Sequence, residues 1–370
     1  MEKKLHVAVI FGGRSGEHEV SLMSARSVLS VLDVQRYEVT QIGITHEGVW
    51  LTGENVLEKF ESNTTDGLLP VIVSPDPSEK GIFVLENGSG FRKWADVDVF
   101  FPVLHGTFGE DGTIQGLFEL ADVAYVGAGV VGSAVGMDKG IFKEVMRAND
   151  IPVVESVMVL RSEIEKDMGA VIEKAEKMGA YPLFAKPANL GSSVGVTKCR
   201  NRSDMQEGLM EAMSFDRRVL IERGVGDVRE IEVSVLGNDE PVASVCGEVI
   251  PSREFYSYES KYIDGTSGLQ IPAELPAETA EQIRQYAVRA YKLIDSAGMA
   301  RVDFFVERDT NRIYLNELNT IPGFTKISMY PKLWQASGLP YHKLVDRLIE
   351  LALERKAERD HTSHTYRSQS

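Results

Sequence analysis

Three oxygen-bearing side chains near the end of the chain are the strongest candidates for chemistry. Asp303 lies in the apolar run "RVDFFVE", and Glu317 and Asn319 lie in "LNELN", beyond a polar turn. Residues two apart in a strand point to the same face, so a cross-strand Asp303 can join Glu317 and Asn319. Carboxylate and amide oxygens suit Mg²⁺, which keeps open positions for water and phosphate. The pattern predicts a hairpin that holds a metal ion with ATP; a hairpin whose acids simply face water is the alternative.

A glycine- and serine-rich loop in "AKPANLGSSVGVTKC" is the second candidate. Lys186 ends the strand before it, and the loop runs from Gly191 to Gly195. Glycine lets backbone N–H groups approach phosphate closely, and Ser192 and Ser193 add hydroxyl donors. The order of a Walker A loop and its following helix are missing. We therefore expect a β-hairpin flap over a triphosphate, with a plain hairpin turn as the alternative.

Other charged side chains could complete a nucleotide site. Lys139, at the head of a helix, could contact phosphate as a point charge, as Lys186 could from another side. Glu222 ends an apolar strand, where an acceptor for an adenine amino group or ribose hydroxyls would be useful. Glu230 could hold the ribose. For either glutamate a surface salt bridge is the alternative.

Hydrophobic periodicity predicts the elements that position these residues. The run "HVAVIFGG", a helix from Glu17 to Leu32 and the run "YEVTQIGIT" form a βαβ opening. The buried strand "DVDVFFPVL" delivers His105 at its carboxyl end, where open α/β sheets bind ligands. A long amphipathic helix over Ala277 to Ser296 precedes the metal hairpin, and another over His342 to Glu354 closes the chain.

Composition excludes several classes of protein. A length of 370 residues indicates two or three domains. The net charge of −15 disfavours nucleic acid as a partner. No run approaches the roughly 20 apolar residues of a membrane span, so we expect a cytoplasmic protein without a membrane partner. Cys199 and Cys246 are expected to be buried small hydrophobic residues.

Six motifs, in order along nearly the whole chain, resemble those of the D-alanine–D-alanine ligases of the ATP-grasp superfamily. They are "GGRSGEHEVSL", "HGTFGEDGTIQG", "KPANLGSSVG", "FYSYESKY", "RVDFF" and "NELNTIPGFT". The resemblance implies an α/β protein, α+β in its C-terminal part, with a three-domain ATP-grasp architecture and an N-terminal Rossmann-like parallel sheet. Residues 1–137 would form the substrate domain, 138–217 a small nucleotide-binding lobe, 218–358 the C-terminal ATP-grasp lobe, and 359–370 a flexible tail.

The reaction implied by the resemblance is ATP-dependent ligation of two D-alanines for peptidoglycan synthesis. The carboxylate of the first D-alanine would attack the γ-phosphate, and the amine of the second would attack the resulting acyl phosphate. Two Mg²⁺ or Mn²⁺ ions per active site and a homodimer are also implied. The alternatives are a D-Ala-D-Ser or D-Ala-D-Lac ligase of the same fold, and a non-catalytic nucleotide-binding regulator.

The resemblance also implies roles for individual residues. Glu17 would receive the ammonium of the first D-alanine, and His105 would lie near that substrate. Arg301 would stabilise the oxyanion of the tetrahedral intermediate, with a backbone N–H from Gly323. These roles would bring the first glycine turn and the metal hairpin to one site.

A hydrogen-bonded link is implied between the N-terminal domain, the phosphate loop and an ω-loop, through Glu17, Ser192 and Tyr262. Lys261 would contact the second substrate's carboxylate or the transferred phosphate, and Ser328 the second substrate. Related ligases that make D-alanyl-D-lactate carry a histidine in place of the Lys261-Tyr262 pair, so the dipeptide product is favoured. The complete set of predicted nucleotide contacts is Lys139, Lys186, Ser192, Ser193, Glu222, Glu230, Lys261, Asn316 and Glu317.

Overall fold

The computed structural model describes residues 3–86, 90–250, 268–325 and 327–363. Its strands form three sheets of eight, four and five strands, which follow one another along the chain. The predicted site residues Lys261 and Tyr262 lie outside the described residues. Among the described residues, no helix is both long enough and apolar enough to cross a membrane.

The first sheet has the order β6-β5-β4-β3-β2-β1-β7-β8. Strands β1, β2, β7 and β8 pair in parallel, while β2 to β6 pair as antiparallel neighbours. The predicted parallel sheet therefore corresponds to β2, β1, β7 and β8. Strands β3 to β6 extend it beyond β2 as antiparallel neighbours, which need no crossover helix. The bounds are β1 (Leu5–Gly12), β2 (Tyr37–Ile44), β3 (Trp50–Thr52), β4 (Leu69–Val73), β5 (Ile82–Glu86), β6 (Gly90–Ala95), β7 (Val99–Pro102) and β8 (Ala124–Tyr125), with helices α1 (His18–Leu29), α2 (Val56–Glu61), α3 (Thr113–Leu120) and α4 (Val130–Met137).

The second sheet is antiparallel, with the order β11-β10-β12-β9, and follows helix α5 (Lys139–Ala148). Its last strand in sequence lies beyond residue 217, where the sequence predicted the central lobe to end. The loop from Gly191 to Gly195 joins β10 to its antiparallel neighbour β11, which confirms the predicted hairpin. The elements are β9 (Ser156–Leu160), α6 (Arg161–Glu176), β10 (Leu183–Pro187), β11 (Thr197–Cys199), α7 (Arg202–Phe215) and β12 (Arg218–Arg223).

The third sheet has the order β15-β14-β13-β16-β17 and contains the predicted metal hairpin. Its last two strands pair antiparallel, with Asp303 opposite Glu317 and Arg301 opposite Asn319, so the predicted cross-strand arrangement is confirmed. The elements are β13 (Val228–Gly237), β14 (Val242–Ile250), β15 (Gly268–Gln270), α8 (Ala277–Leu293), β16 (Gly298–Glu307), β17 (Ile313–Asn319), α9 (Met329–Ala336) and α10 (Tyr341–Arg359).

Helix α10 shares a hydrophobic core with the first sheet. Leu344 and Leu348 of this helix belong to the same buried cluster as Val9 and Phe101 of β1 and β7. The second sheet has a separate core, whose buried members all lie between Val159 and Ile221. Helix α5 instead joins the core of the third sheet. The N-terminal and C-terminal parts of the chain are thus packed together, and the central lobe is packed mainly on itself.

Candidate functional site

A continuous cleft lies where the three sheets meet, and it has three adjoining chambers. The inner chamber is lined by Glu17, His105, Arg301 and Gly323, among others. The middle chamber is lined by residues that include Lys186, Ser193, Asp303 and Asn316, and the outer chamber by residues that include Phe184, Glu222, Val225 and Phe305. Residues Lys139, Gly191, Ser192 and Glu317 line both the inner and middle chambers, and Lys186, Glu230 and Phe305 line both the middle and outer ones.

The carboxylate of Glu17 joins the first sheet to the flap loop. Glu17 lies just before α1, is buried, and accepts a hydrogen bond from the hydroxyl of Ser192. A Cβ atom on Gly106 or on Gly191 would lie 2.5 Å or 2.8 Å from Glu17 Oε2. Gly106 also has a φ of +75°, which favours glycine. Glycine is needed on both sides because the backbone closes tightly around this carboxylate.

His105 is held as a neutral ring between two parts of the chain. Its Nδ1 lies 2.9 Å from the carbonyl oxygen of Ile321, and its Nε2 lies 2.9 Å from Ser24 Oγ. A carbonyl oxygen only accepts, so Nδ1 carries the proton and Nε2 accepts from the serine. Burial lowers the pKa of His105, with Glu17 acting in the opposite direction. His105 therefore supports the inner chamber as an uncharged hydrogen-bonding group.

Glu110 was not singled out from the sequence, yet it lines the inner chamber. Its two carboxyl oxygens accept from the backbone N–H groups of Gly106, at 2.8 Å, and Ile321, at 3.0 Å. Burial, reinforced by Glu17, raises the pKa of Glu110 to about 8. The position of Glu110 in "GEDG" suggests an exposed acid, so only the fold reveals that it joins the N-terminal loop to the loop after β17.

Arg301 is oriented by acids on two strands. Its Nε and Nη2 atoms each lie 2.7 Å from an oxygen of Asp303, in a fork that fixes the guanidinium plane. Glu232 on the neighbouring strand lies 3.0 Å from Arg301 Nε, and Asn319 Nδ2 donates to Asp303 at 3.2 Å. Glu232 follows the predicted Glu230 by two residues, so strand periodicity could have identified it.

A register shift in the hairpin brings an additional residue to the site. Asp303 pairs with Glu317, but the next pair is Phe304 with Leu315, so Asn316 is the extra residue of a β-bulge. Asn316 and Glu317 consequently both line the middle chamber. At the start of α5, Lys139 Nζ donates to the carbonyl oxygen of Leu190, just before the flap loop, at 2.7 Å and lies 3.8 Å from Glu317 Oε2.

The donor set for a metal ion consists of the two carboxylates of Asp303 and Glu317 and the amide of Asn319. No group of three or more His, Cys, Asp or Glu side chains suited to a metal ion occurs within the described ranges. The predicted oxygen set nevertheless fits Mg²⁺ or Mn²⁺, which accept carboxylate and amide oxygens and take further ligands from phosphate and water. An ion at Asp303 would share this carboxylate with Arg301.

Two lysines flank the buried carboxylate of Glu222. Lys186 Nζ donates to Glu222 Oε1 at 2.6 Å, and Lys143 Nζ lies 2.6 Å from Oε2, without the alignment of a hydrogen bond. Burial opposes ionisation of Glu222, but Lys143 and Lys186 outweigh it and lower the pKa of Glu222 to about 2. The alternative of a surface salt bridge is therefore wrong about the surface: Glu222 does form salt bridges, but it is only 2% exposed.

Of the remaining predicted residues, the flap serines and Gly323 line the cleft, whereas Ser328 does not. Ser192 and Ser193 have φ values of 50° and 61°, a strained conformation that turns the backbone at the boundary of two chambers. Gly323 lines the inner chamber. Ser328 is not among the lining residues of the three chambers; its hydroxyl lies 2.7 Å from Thr325 Oγ1 and accepts from Thr325 N–H at 3.1 Å.

The chain resembles known proteins in its family matches, its sequence and its structure. Two families match, described as "D-ala D-ala ligase N-terminus" over residues 6–128 and "D-ala D-ala ligase C-terminus" over residues 145–350. The D-alanine--D-alanine ligase of Thermoanaerobacter sp. strain X514 is 52% identical over 362 residues, which cover 97% of this chain and 99% of that protein. The enzyme of the same name from Caldicellulosiruptor bescii is 49% identical over 356 residues, 96% and 97% of the two chains.

Solved structures are similar over nearly the whole chain as well. The D-alanine-D-alanine ligase from Coxiella burnetii superposes with a TM-score of 0.82 at 36% identity and covers 97% of this chain and 96% of its own. The VanG D-Ala:D-Ser ligase from Enterococcus faecalis superposes with a TM-score of 0.84 at 37% identity, over 95% of this chain and 100% of its own. These similarities confirm the predicted fold class.

Proposed function

Because the chain belongs to the D-alanine–D-alanine ligase family, we propose that its three-chambered cleft is where two D-alanines are joined. The protein is an ATP-dependent ligase, and its dipeptide product serves cell-wall synthesis. The alternative of a non-catalytic regulator no longer applies. The observation that carries the proposal is the continuity of the cleft, which connects Glu17 with Lys186 through shared lining residues.

ATP would lie along the outer and middle chambers. Phe184 and Phe305 line the outer chamber, and their apolar faces suit an adenine ring. Glu222 is within reach of the same chamber, and Glu230 at the boundary would hold the ribose. Lys186 and Lys139 line the middle chamber, where they would bind phosphate oxygens together with Ser192, Ser193 and Asn316.

The family uses ATP together with a divalent metal, and we propose two Mg²⁺ or Mn²⁺ ions per active site. Asp303, Glu317 and Asn319 would hold them, since their oxygens are of the type that these ions prefer. When bound, the ions would supply neutralisation of the phosphate charge during transfer. The protein's own contribution is to fix those oxygens on two paired strands beside Arg301.

The first D-alanine would lie in the inner chamber, with its ammonium on Glu17. Its carboxylate would then face the phosphate groups and take the γ-phosphoryl group of ATP, which releases ADP. The amine of the second D-alanine would attack the carbonyl carbon of this acyl phosphate, and inorganic phosphate would leave from the tetrahedral intermediate. Arg301, already oriented by Asp303 and Glu232, would stabilise the oxyanion that forms, together with the backbone N–H of Gly323. The hydrogen bond between Ser192 and Glu17 would close the flap over both substrates.

Selection of the second substrate is proposed to rest on Lys261, Tyr262 and Ser328. The similarity to the VanG D-Ala:D-Ser ligase keeps D-serine as a second candidate for this position. The test is phosphate release by the full-length enzyme with ATP and Mg²⁺, supplied with D-alanine alone or with D-alanine plus D-serine or D-lactate, and identification of the products. D-alanyl-D-alanine as the main product supports the proposal; D-alanyl-D-serine as the main product would replace it with the second candidate.

A homodimer and a cytoplasmic location are proposed on the same family grounds. Both substrates are small polar molecules, and ATP is made in the cytoplasm. Sedimentation equilibrium of the purified enzyme would give the assembly directly, and a mass of one chain would contradict the dimer.

A further inference from the structure

Lys143, Glu222 and Lys186 form a row of charges that runs from the interior to the cleft. Their side chains are 2%, 3% and 13% exposed, in that order. Each lysine nitrogen lies 2.6 Å from a different oxygen of Glu222. Only Lys186 of the two lysines lines the described chambers, so Lys143 is the closed end of the row.

The row connects two separately packed parts of the molecule. Lys143 is on α5, whose neighbours Phe142 and Met146 belong to the hydrophobic core of the third sheet. Glu222 and Lys186 are on β12 and β10 of the second sheet, which has its own core. Lys143 therefore holds an acid of the central lobe from the opposite side of the cleft.

The charges of the row suggest why Lys143 is buried beside the pair of Glu222 and Lys186. Glu222 and Lys186 alone would form a neutral pair, in which the carboxylate draws the ammonium back from the chamber. A second lysine on the far oxygen of Glu222 leaves the row with one net positive charge, and Lys186 is the lysine of the row that lines the cleft, next to Glu222 in the outer chamber. Burial of a charge is costly unless the charge is paired, so the presence of Lys143 calls for a compensating interaction, which Glu222 provides.

We propose that Lys143 is a positioning residue for the triphosphate: it shares the charge of Glu222, so that the Lys186 ammonium, which donates to Glu222 Oε1, keeps its remaining N–H donors for phosphate. This inference rests on the proposed function, in which Lys186 contacts a phosphate group of ATP. A purely structural Lys143 would stabilise the lobe without distinguishing the parts of the nucleotide. The distinction can be measured, because adenosine carries the base and ribose but no phosphate.

The experiment is equilibrium binding of ATP and of adenosine to the full-length enzyme with Mg²⁺, for wild type, Lys143→Met and Lys186→Met. We expect Lys143→Met to weaken the binding of ATP about 10-fold and the binding of adenosine less than about 2-fold. The interaction that changes is the charged hydrogen bond between Lys186 and phosphate, and adenosine has no phosphate. Equal weakening of both ligands, or no weakening of ATP, would overturn the inference. If Lys186→Met leaves ATP binding unchanged, the proposed phosphate role of Lys186 fails instead.

A second pair of variants keeps the test valid if Lys143→Met does not fold. In the Glu222→Gln enzyme, Lys143 has no carboxylate through which to act. In the double variant Lys143→Met/Glu222→Gln, both charges are removed together, so that no unpaired buried acid remains. We expect Glu222→Gln and the double variant Lys143→Met/Glu222→Gln to have the same ratio of ATP to adenosine affinity within about 2-fold. A further selective loss of ATP affinity in the double variant would show that Lys143 does not act through Glu222.

Discussion

The two walls of the cleft differ in how they are attached to the rest of the molecule. The third sheet carries Arg301 and Asp303 and belongs to a block in which α10 packs on the first sheet. The second sheet carries Lys186 and the flap loop, has its own core, and meets the block through polar contacts such as Ser192 to Glu17 and Arg218 to Asp138. Polar contacts separate at less cost than a shared apolar core. We therefore expect the wall with Arg301 to hold the proposed acyl-transfer geometry and the wall with Lys186 to bring the proposed phosphate-binding groups to it.

The largest expected effect comes from removing one fully buried leucine side chain from each of the two cores. Leu348→Ala in α10 should lower the free energy of unfolding of the N- and C-terminal block by roughly 2–5 kcal/mol, because Leu348 is fully buried in the shared cluster. Leu209→Ala removes an equally buried side chain from the core of the central lobe. Hydrogen exchange measured by mass spectrometry should then rise across both ends of the chain for Leu348→Ala, but mainly within residues 156–223 for Leu209→Ala. Equal exchange patterns would contradict the separation of the two walls.

Glu317→Gln tests the chemistry assigned to the fixed wall. We expect turnover to fall by at least about 100-fold, or roughly 3 kcal/mol of transition-state stabilisation, because an amide is a poorer metal ligand than a carboxylate. The fold should be retained, since Glu317 is partly exposed and its strand is held by backbone pairing. Steady-state phosphate release at saturating Mg²⁺, with circular dichroism as the control for folding, measures this. A rate near that of the wild type would refute the metal role.

Glu110→Gln tests the contact that joins the N-terminal loop to the loop after β17. Either carboxyl oxygen of Glu110 can accept a hydrogen bond, whereas the amide nitrogen of glutamine cannot, so one of the N–H groups of Gly106 and Ile321 loses its acceptor. We expect a loss of about 1–3 kcal/mol in unfolding free energy. Urea denaturation followed by fluorescence gives this value. A variant as stable as the wild type would contradict this role of Glu110.

Ser192→Ala tests the polar contact between the movable wall and the block. Loss of its hydrogen bond to Glu17 should raise the KM for D-alanine about 3- to 10-fold, which corresponds to about 0.5–1.5 kcal/mol. Ser193→Ala is the neighbouring control: its side chain lines the middle chamber only, so its main effect should be on the KM for ATP. The same change in both constants for the two variants would argue against separate roles.

Short-range patterns predicted most of the elements and much of the site. The hairpin of Asp303 and Glu317 follows from alternating polarity, and the flap hairpin from its glycines and serines. The bulge at Asn316 was not predicted, although the three-residue spacing of Leu315 and Leu318 breaks the two-residue period and is its visible signal. The sequence showed α10 as amphipathic but not which sheet would cover its apolar face.

Long-range pairs account for what the sequence could not predict. Lys143 contacts an acid 79 positions away in the chain, and Glu110 accepts from a backbone N–H 211 positions away. No local period encodes such partners, because they depend on how the sheets meet. Both residues are buried ionisable groups, a state that composition and periodicity do not reveal. The sequence thus identified groups that face the cleft better than the groups that hold them.

The packing of α10 also bears on how the protein is made. Synthesis produces the first sheet well before Leu344 to Ala352, which complete part of its core. The central lobe, with its buried members between residues 159 and 221, can form its core while the ribosome is still at work. The N-terminal sheet therefore completes its core only after residue 352 has been made, and a truncation before residue 341 would leave its apolar face exposed to chaperones and proteases.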